Sequence, residues 1–300
     1  MNKRMTMNLK LIFSTFLALV AFAANSILCR LALVQDSTGR LIDPTSFTLV
    51  RLVSGAIMLL LLCLFYRATD ERVSAVQRLG QVWHSGSWSG ALALFIYALG
   101  FSYAYVSLAT GIGALILFGA VQITLILLSF INGHRMKWLE WLGLAVAFSG
   151  FVYLLLPTLS TPSAMGFVLM AGAGVAWGIY TWQGKKVTKA LFATTANFVR
   201  SLPFLVFALL LVGFQLEISL SGFWLAVASG AIMSGIGYAI WYAVLAHMSA
   251  SVAAVLQLLV PILATLGGVI FAHEAVTLHL ILATTAVLGG VLIVLIGKKK

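Results

Sequence analysis

Along this chain, apolar runs of about 18 to 25 residues follow one another with short polar breaks, the length needed to cross about 30 Å of hydrocarbon at 1.5 Å per residue. Ten runs separate, at 9–34, 43–66, 85–108, 111–131, 138–156, 163–184, 191–213, 219–246, 251–271 and 276–297. The breaks carry turn and charge signals: Asp43-Pro44, the polar stretch 67–84, then 110–113, 132–137, 157–162, 184–189, 215–217, 247–251 and 273–276. The ten-residue alternation of membrane strands does not occur. The pattern predicts an all-α integral membrane protein with ten transmembrane helices.

Composition agrees. The 300 residues are 62% hydrophobic and 8% charged, with a mean hydropathy of +1.10, whereas soluble domains are about a quarter charged. The net charge of +11 would suit nucleic acid if the basic residues formed a stripe among exposed aromatics, but they sit at the ends of apolar spans. Of the 18 Lys and Arg, 14 lie in the N-terminus (Lys3, Arg4, Lys10), the second loop (Arg67, Arg72, Arg78), the fourth (Arg135, Lys137), the sixth (Lys185, Lys186, Lys189) and the C-terminus (Lys298, Lys299, Lys300). Loops of the opposite side hold only Arg40. The positive-inside rule then puts both termini in the cytoplasm, which requires an even number of spans. Lys3 and Arg4 before an apolar run ending in Ala21-Phe22-Ala23 resemble a signal peptide, but the run continues to Val34, so it reads as a retained first helix. Cys29 and Cys63 lie inside apolar spans, with no spacing for a disulfide framework or a metal, and no cofactor is expected.

The chain is internally duplicated. The stretch 234–262 joins two apolar helices, the first bearing Tyr238, Trp241 and Tyr242 and the second Gln257 and Pro261; a weaker copy lies at 99–123. With the break two to three residues longer in the second copy, Phe101 and Tyr105 fall on Tyr238 and Tyr242, Ala109 on Ala246, and Gln122 on Pro261. VAFAANSILCR (20–30) matches VAWGIYTWQGK (175–185), residues 48–51 match 197–200, His134 matches His273 and Gly150 matches Gly289. Five spans per half, residues 1–157 and 158–300, give the halves opposite orientation. Inverted five-helix repeats with a site at their interface are a hallmark of secondary transporters.

Here the chain resembles the drug/metabolite transporter superfamily in its EamA-type form. The resembling residues are Ala176-Trp177-Gly178, Leu245-Ala246, Val260-Pro261, Glu274 and Gly289. Among its members, the aromatic-rich helices look most like YddG-type bacterial exporters of aromatic amino acids. The departures lie in the first half, with Gln122 in place of proline, Phe22-Ala23 in place of Trp-Gly and Arg135 in place of glutamate. The resemblance implies two EamA-type repeats and export of aromatic and other neutral amino acids by alternating access.

Several residues could line such a path. Tyr97, Phe101 and Tyr105, and Ser234, Tyr238, Trp241 and Tyr242, recur at spacings of three and four, so each set shares a helix face. Their rings could stack on a planar substrate while hydroxyls and indole N–H orient its polar groups; interhelical packing or an interfacial belt is the other reading. Trp177 and Tyr180 stand alike on the sixth span. Asn25, Gln122 and Gln257 are amides inside apolar helices, available for interhelical bonds or for substrate. Arg51 and Arg200 correspond in the repeat, Arg51 toward the outside and Arg200 toward the inside; each could anchor the fold, hold a substrate carboxylate or gate a mouth. The glycines Gly86, Gly90, Gly230, Gly235, Gly237, Gly267 and Gly268 suit close helix approach or hinges. Asp36, Asp43, Asp70, Glu71, Glu140, Glu217 and Glu274 all fall in loops or near helix ends, which favours a facilitative carrier over a proton antiporter. His134 and His273 suit capping better than proton transfer.

The partners expected are a small amphipathic metabolite and the lipid bilayer, with the chain a monomer. A cationic drug or nucleotide sugar is the alternative cargo, argued against by the missing mid-membrane glutamate and the missing basic cluster. A membrane enzyme would need a polar catalytic cluster that the spacing does not offer, and a receptor or assembly protein would not need the duplication.

Overall fold

The computed structural model describes residues 9–34, 39–65, 74–133, 137–155, 163–184, 187, 189–212, 217–245, 247 and 256–297. All twelve candidate site residues lie within them; His134, Arg135 and most of the breaks at 67–73, 156–162 and 248–251 lie outside.

The described chain is helical throughout. The elements are α1 (Leu9–Leu33), α2 (Pro44–Phe65), α3 (Ala75–Trp83), α4 (Trp88–Tyr105), α5 (Thr110–Ile131), α6 (Trp138–Leu155), α7 (Ala164–Gly184), α8 (Ala190–Val212), α9 (Leu220–Leu245, π-helical over Ala228–Ile236), α10 (Leu259–Ala272) and α11 (Leu278–Gly297). Ile42 and Ile218 form an isolated antiparallel bridge in the loops between helices. Each expected span overlaps one helix, although the ninth, expected at 251–271, meets α10 only from Leu259, with 251–255 outside the described residues; α3 is the addition, inside the polar stretch 67–84. Among the described residues six helices are long and apolar enough to cross a membrane: α1, α2, α5, α7, α8 up to Leu210, and α9. The pair α3–α4, bent by 82°, makes a seventh if it is one span.

The polar breaks stop the helices by capping. Ser74 and Gln77 form a reciprocal capping box that starts α3, and Ser87 and Ser219 cap α4 and α9 through Gly90 and Gly222 N–H. Asp43 accepts from the Thr45 and Ser46 N–H groups, both at 2.9 Å, at the start of α2. At the end of α10, His273 takes the left-handed conformation with φ 52°.

Helices early in the chain pack on helices late in it: α1 on α9 and α10, α2 on α8 and α9, α4 and α5 on α7, and α6 on α11. The core is therefore shared between the halves. Outward faces carry apolar side chains such as Phe13, Phe65, Ile131, Phe207 and Phe271, all exposed, as bilayer-facing surfaces do. Five of the eight tryptophans, Trp83, Trp88, Trp138, Trp141 and Trp224, are exposed near helix ends, the depth at which indoles anchor to headgroups.

Two ends can be told apart by their contacts. At one, Arg78 donates to the Leu64 carbonyl at the close of α2, Lys189 reaches Gln81 on α3, and Asn197 of α8 receives the Ser87 N–H. The loops there are the Lys- and Arg-rich ones, so this is the basic end. At the other, α1 and α4 finish while α2, α5, α7 and α9 begin. Asp43 N–H donates to the Glu217 carbonyl while the Asp43 carboxylate accepts the Glu217 N–H, Ser219 N–H donates to the Leu41 carbonyl, and the Ser107 and Ser163 hydroxyls lie 2.8 Å apart.

Candidate functional site

Arg51, on the third turn of α2, is the largest fully buried side chain, 1% exposed. Its position follows from close backbone approach. A Cβ on Gly230, in the π segment of α9, would strike the Arg51 carbonyl and the Ser54 hydroxyl. With no side chain there α2 and α9 meet backbone to backbone, and Arg51 projects between α4 and α9. Nη2 donates to the Tyr97 hydroxyl at 2.9 Å and Nε to Ser234 Oγ at 3.2 Å. The guanidinium carbon lies 4.8 Å from the Phe101 ring centroid and 5.1 Å from that of Tyr97, cation–π distances. Nη1 has no hydrogen-bond partner, and no carboxylate among the described residues pairs with Arg51. An unpaired buried charge is costly, several kcal/mol even after relaxation.

Around this cation the aromatic residues form one continuous shell. Phe101 lies edge-on to Tyr105, centroids 4.8 Å apart, and Tyr105 closes the column with its hydroxyl donating to the Thr110 carbonyl at 3.2 Å. Toward the basic end, Trp177 of α7 lies 4.7 Å from Tyr97, 4.9 Å from Tyr238 and 5.3 Å from Tyr180. The Tyr238 hydroxyl donates to that of Tyr97 at 3.4 Å, and Phe198 flanks the Tyr238 ring. Phe22 of α1 packs against Tyr238, Trp241 and Phe118.

Beyond Tyr180 a cavity of about 380 Å³ opens among the ends of α4, α7, α8 and α9. Ser87, Ser89, Gln183, Thr194, Asn197 and Tyr242 supply hydroxyls and carboxamides, and among the described residues no charged side chain lines it. Ser89 and Val187 on its rim are exposed, so it reaches the surface at the basic end. Tyr180 belongs to both cavity and shell, and Trp177 stands between the cavity and Arg51.

The structure thus brings Arg51, Phe101, Tyr105, Trp177, Tyr180, Tyr238 and Trp241 into one cluster and puts Tyr242 in the adjoining cavity. Asn25 is spent on the fold, accepting the Ser229 hydroxyl and so tying α1 to α9. Gln122 and Gln257 are buried on α5 and just ahead of α10. Arg200 stands apart from Arg51: it donates to the Ser85 and Trp83 carbonyls, both at 2.6 Å, with its guanidinium 5.8 Å from the Trp88 ring, and so clamps the α3–α4 elbow. Sequence reasoning did not single out Phe22, Phe118, Phe198, the polar cavity lining or the pair formed by Arg30 and Glu274; only the latter's charges, set at helix ends, offered a signal.

Comparison with known proteins follows this geometry. Residues 164–296 match the EamA-like transporter family. The chain carries an EamA-like domain. It belongs to one family with the uncharacterized protein PA1977 of Pseudomonas aeruginosa, 45% identical over 285 residues that cover 94% of this chain and 93% of that protein. An uncharacterized transporter of Archaeoglobus fulgidus is 27% identical over 212 residues, 68% of this chain and 75% of its own length. A solved crystal structure superposes with a TM-score of 0.63 at 16% identity, covering 95% of this chain and 96% of that one, a likeness of fold alone. The chain is thus a multi-pass, transporter-like membrane protein.

Proposed function

We propose that this EamA-like protein is a facilitative, alternating-access carrier that exports aromatic and other neutral amino acids across a bacterial inner membrane. Every helix but α3 crosses the bilayer in this reading, as two inverted five-helix repeats over residues 1–157 and 158–300, with both termini cytoplasmic and the chain working as a monomer. The observation that carries it is Arg51, a buried guanidinium with an unused N–H face inside an aromatic shell and no acidic partner among the described residues. A carboxylate is the group that such a fork binds best, by short charge-assisted bonds, and the neighbouring rings suit a planar side chain. A cationic cargo is disfavoured, since Arg51 would repel it. The cavity at the basic end provides cytoplasmic entry, and its neutral lining suits a zwitterion. To reach Arg51 the substrate displaces Trp177 from between Tyr97 and Tyr180.

The test is uptake of radiolabelled phenylalanine, tryptophan, threonine and methionine into proteoliposomes, with and without an imposed pH gradient. Saturable, gradient-independent uptake of the aromatic amino acids is expected. No uptake above empty liposomes, by protein that elutes as a folded monodisperse species, would overturn the assignment.

A further inference from the structure

We propose that Glu274 is a conditional cap that latches shut the mouth opposite the cavity. The inference goes beyond the substrate assignment and rests only on the alternating-access reading. Because His273 turns the chain at the end of α10, Glu274 is carried over the start of α5. The Thr110 N–H bonds both carboxylate oxygens, at 2.9 and 2.8 Å, and the Thr110 hydroxyl donates to Oε1 at 3.0 Å. Arg30, near the end of α1, places Nε 3.4 Å from Oε1 and donates Nη1 to the Tyr105 and Val106 carbonyls, at 3.0 and 3.2 Å, where α4 closes. One carboxylate and one guanidinium thereby join the ends of α1 and α4, the beginning of α5 and the α10–α11 turn. Both side chains are largely buried.

The cap is not local. The residue preceding α5 is Ala109, which offers no side-chain acceptor to the first N–H groups of the helix. A serine or aspartate there would cap α5 in every conformation. A carboxylate 164 positions along the chain caps it only while the two segments touch, so the stabilisation exists in one conformation and vanishes in the other, as a population bias requires. The latch also sits over the site. Tyr105 lies directly beneath, bonded to the Thr110 carbonyl, and leads through Phe101 to Arg51. Opening a path from Arg51 to this mouth separates Glu274 from Thr110.

Thiol accessibility tests this without any substrate, so its failure is distinct from failure of the amino-acid assignment. Ser26, on α1 one turn before Arg30 and buried, is changed to cysteine in full-length protein in which Cys29 and Cys63 are alanine. A membrane-impermeant maleimide then reads opening of the mouth. Glu274→Gln is expected to raise the labelling rate about tenfold, the scale of one lost charge-assisted hydrogen bond. Arg30→Gln, which leaves the helix cap in place, should raise it in the same direction and serves if E274Q does not fold. Labelling at the parent rate in folded E274Q or R30Q protein would overturn the latch.

Discussion

At the scale of single residues, Arg51 differs from a structural arginine in what its removal does to stability. It contributes hydrogen bonds to Tyr97 and Ser234 but leaves Nη1 buried without a partner, so the fold carries a desolvation cost without full compensation. Arg51→Gln keeps a donor for Tyr97 or Ser234 and removes the charge. The expected outcome is a thermal midpoint equal to or above that of the parent, with uptake of phenylalanine reduced at least about tenfold, the equivalent of 1.4 kcal/mol. Thermal unfolding in detergent and proteoliposome kinetics would check both; equal loss of stability and transport would make Arg51 a packing residue. Tyr97→Phe removes only the hydroxyl that orients Nη2. Here KM should rise a few-fold with the folded yield unchanged, measured on the same substrates.

At the scale of elements, α9 and the α3–α4 elbow carry the site. The π segment of α9 widens the helix where Gly230 lies on the α2 backbone, and irregular turns of this kind recur at functional positions. Gly230→Val would wedge the two helices apart at the base of Arg51, with an expected loss of about 1–3 kcal/mol of stability visible as a lower thermal midpoint. The elbow depends on Arg200, whose bonds to the Trp83 and Ser85 carbonyls satisfy groups left free where α3 stops. Arg200→Gln should speed amide hydrogen exchange across residues 74–90 while leaving α1 and α11 unchanged. Uniform protection across both regions would mean that α3 is held by the bilayer alone. The expected repeat would pair Arg51 with Arg200, yet the folded chain gives one an aromatic shell and the other a helix end, so a match in sequence is not a match in environment.

At the scale of the whole molecule, the described contacts tie one end of the bundle together while a cavity opens at the other. The tied end is held by Glu274 with Thr110 and Arg30 and by Asp43 with Glu217; the basic end has the cavity between α4, α7, α8 and α9. If the basic loops face the cytoplasm, a fluorescent protein fused to either terminus should fold and fluoresce in cells, and alkaline phosphatase fused to either should be inactive. Opposite results at the two termini would rule out an even number of crossings.

Helical class and membrane class were legible in the sequence because hydropathy and capping are local: each apolar run must satisfy its own backbone as a helix wherever it goes. The aromatic faces were legible for the same reason, since a spacing of three and four fixes a shared face before any packing occurs. Their environment was not. Whether Tyr238 meets lipid, a neighbouring helix or a cavity depends on which helix lies opposite, and that is settled by close approaches such as Gly230 on Arg51, between residues far apart in the chain. Tertiary structure alone joined Arg51 to Tyr97 and Ser234, set Arg200 to a different task, and brought Glu274 to a helix that begins 164 residues earlier. A charge reveals its partner only when the fold has chosen its neighbours, because electrostatic and aromatic interactions act through space whereas hydrophobic periodicity is written along the chain.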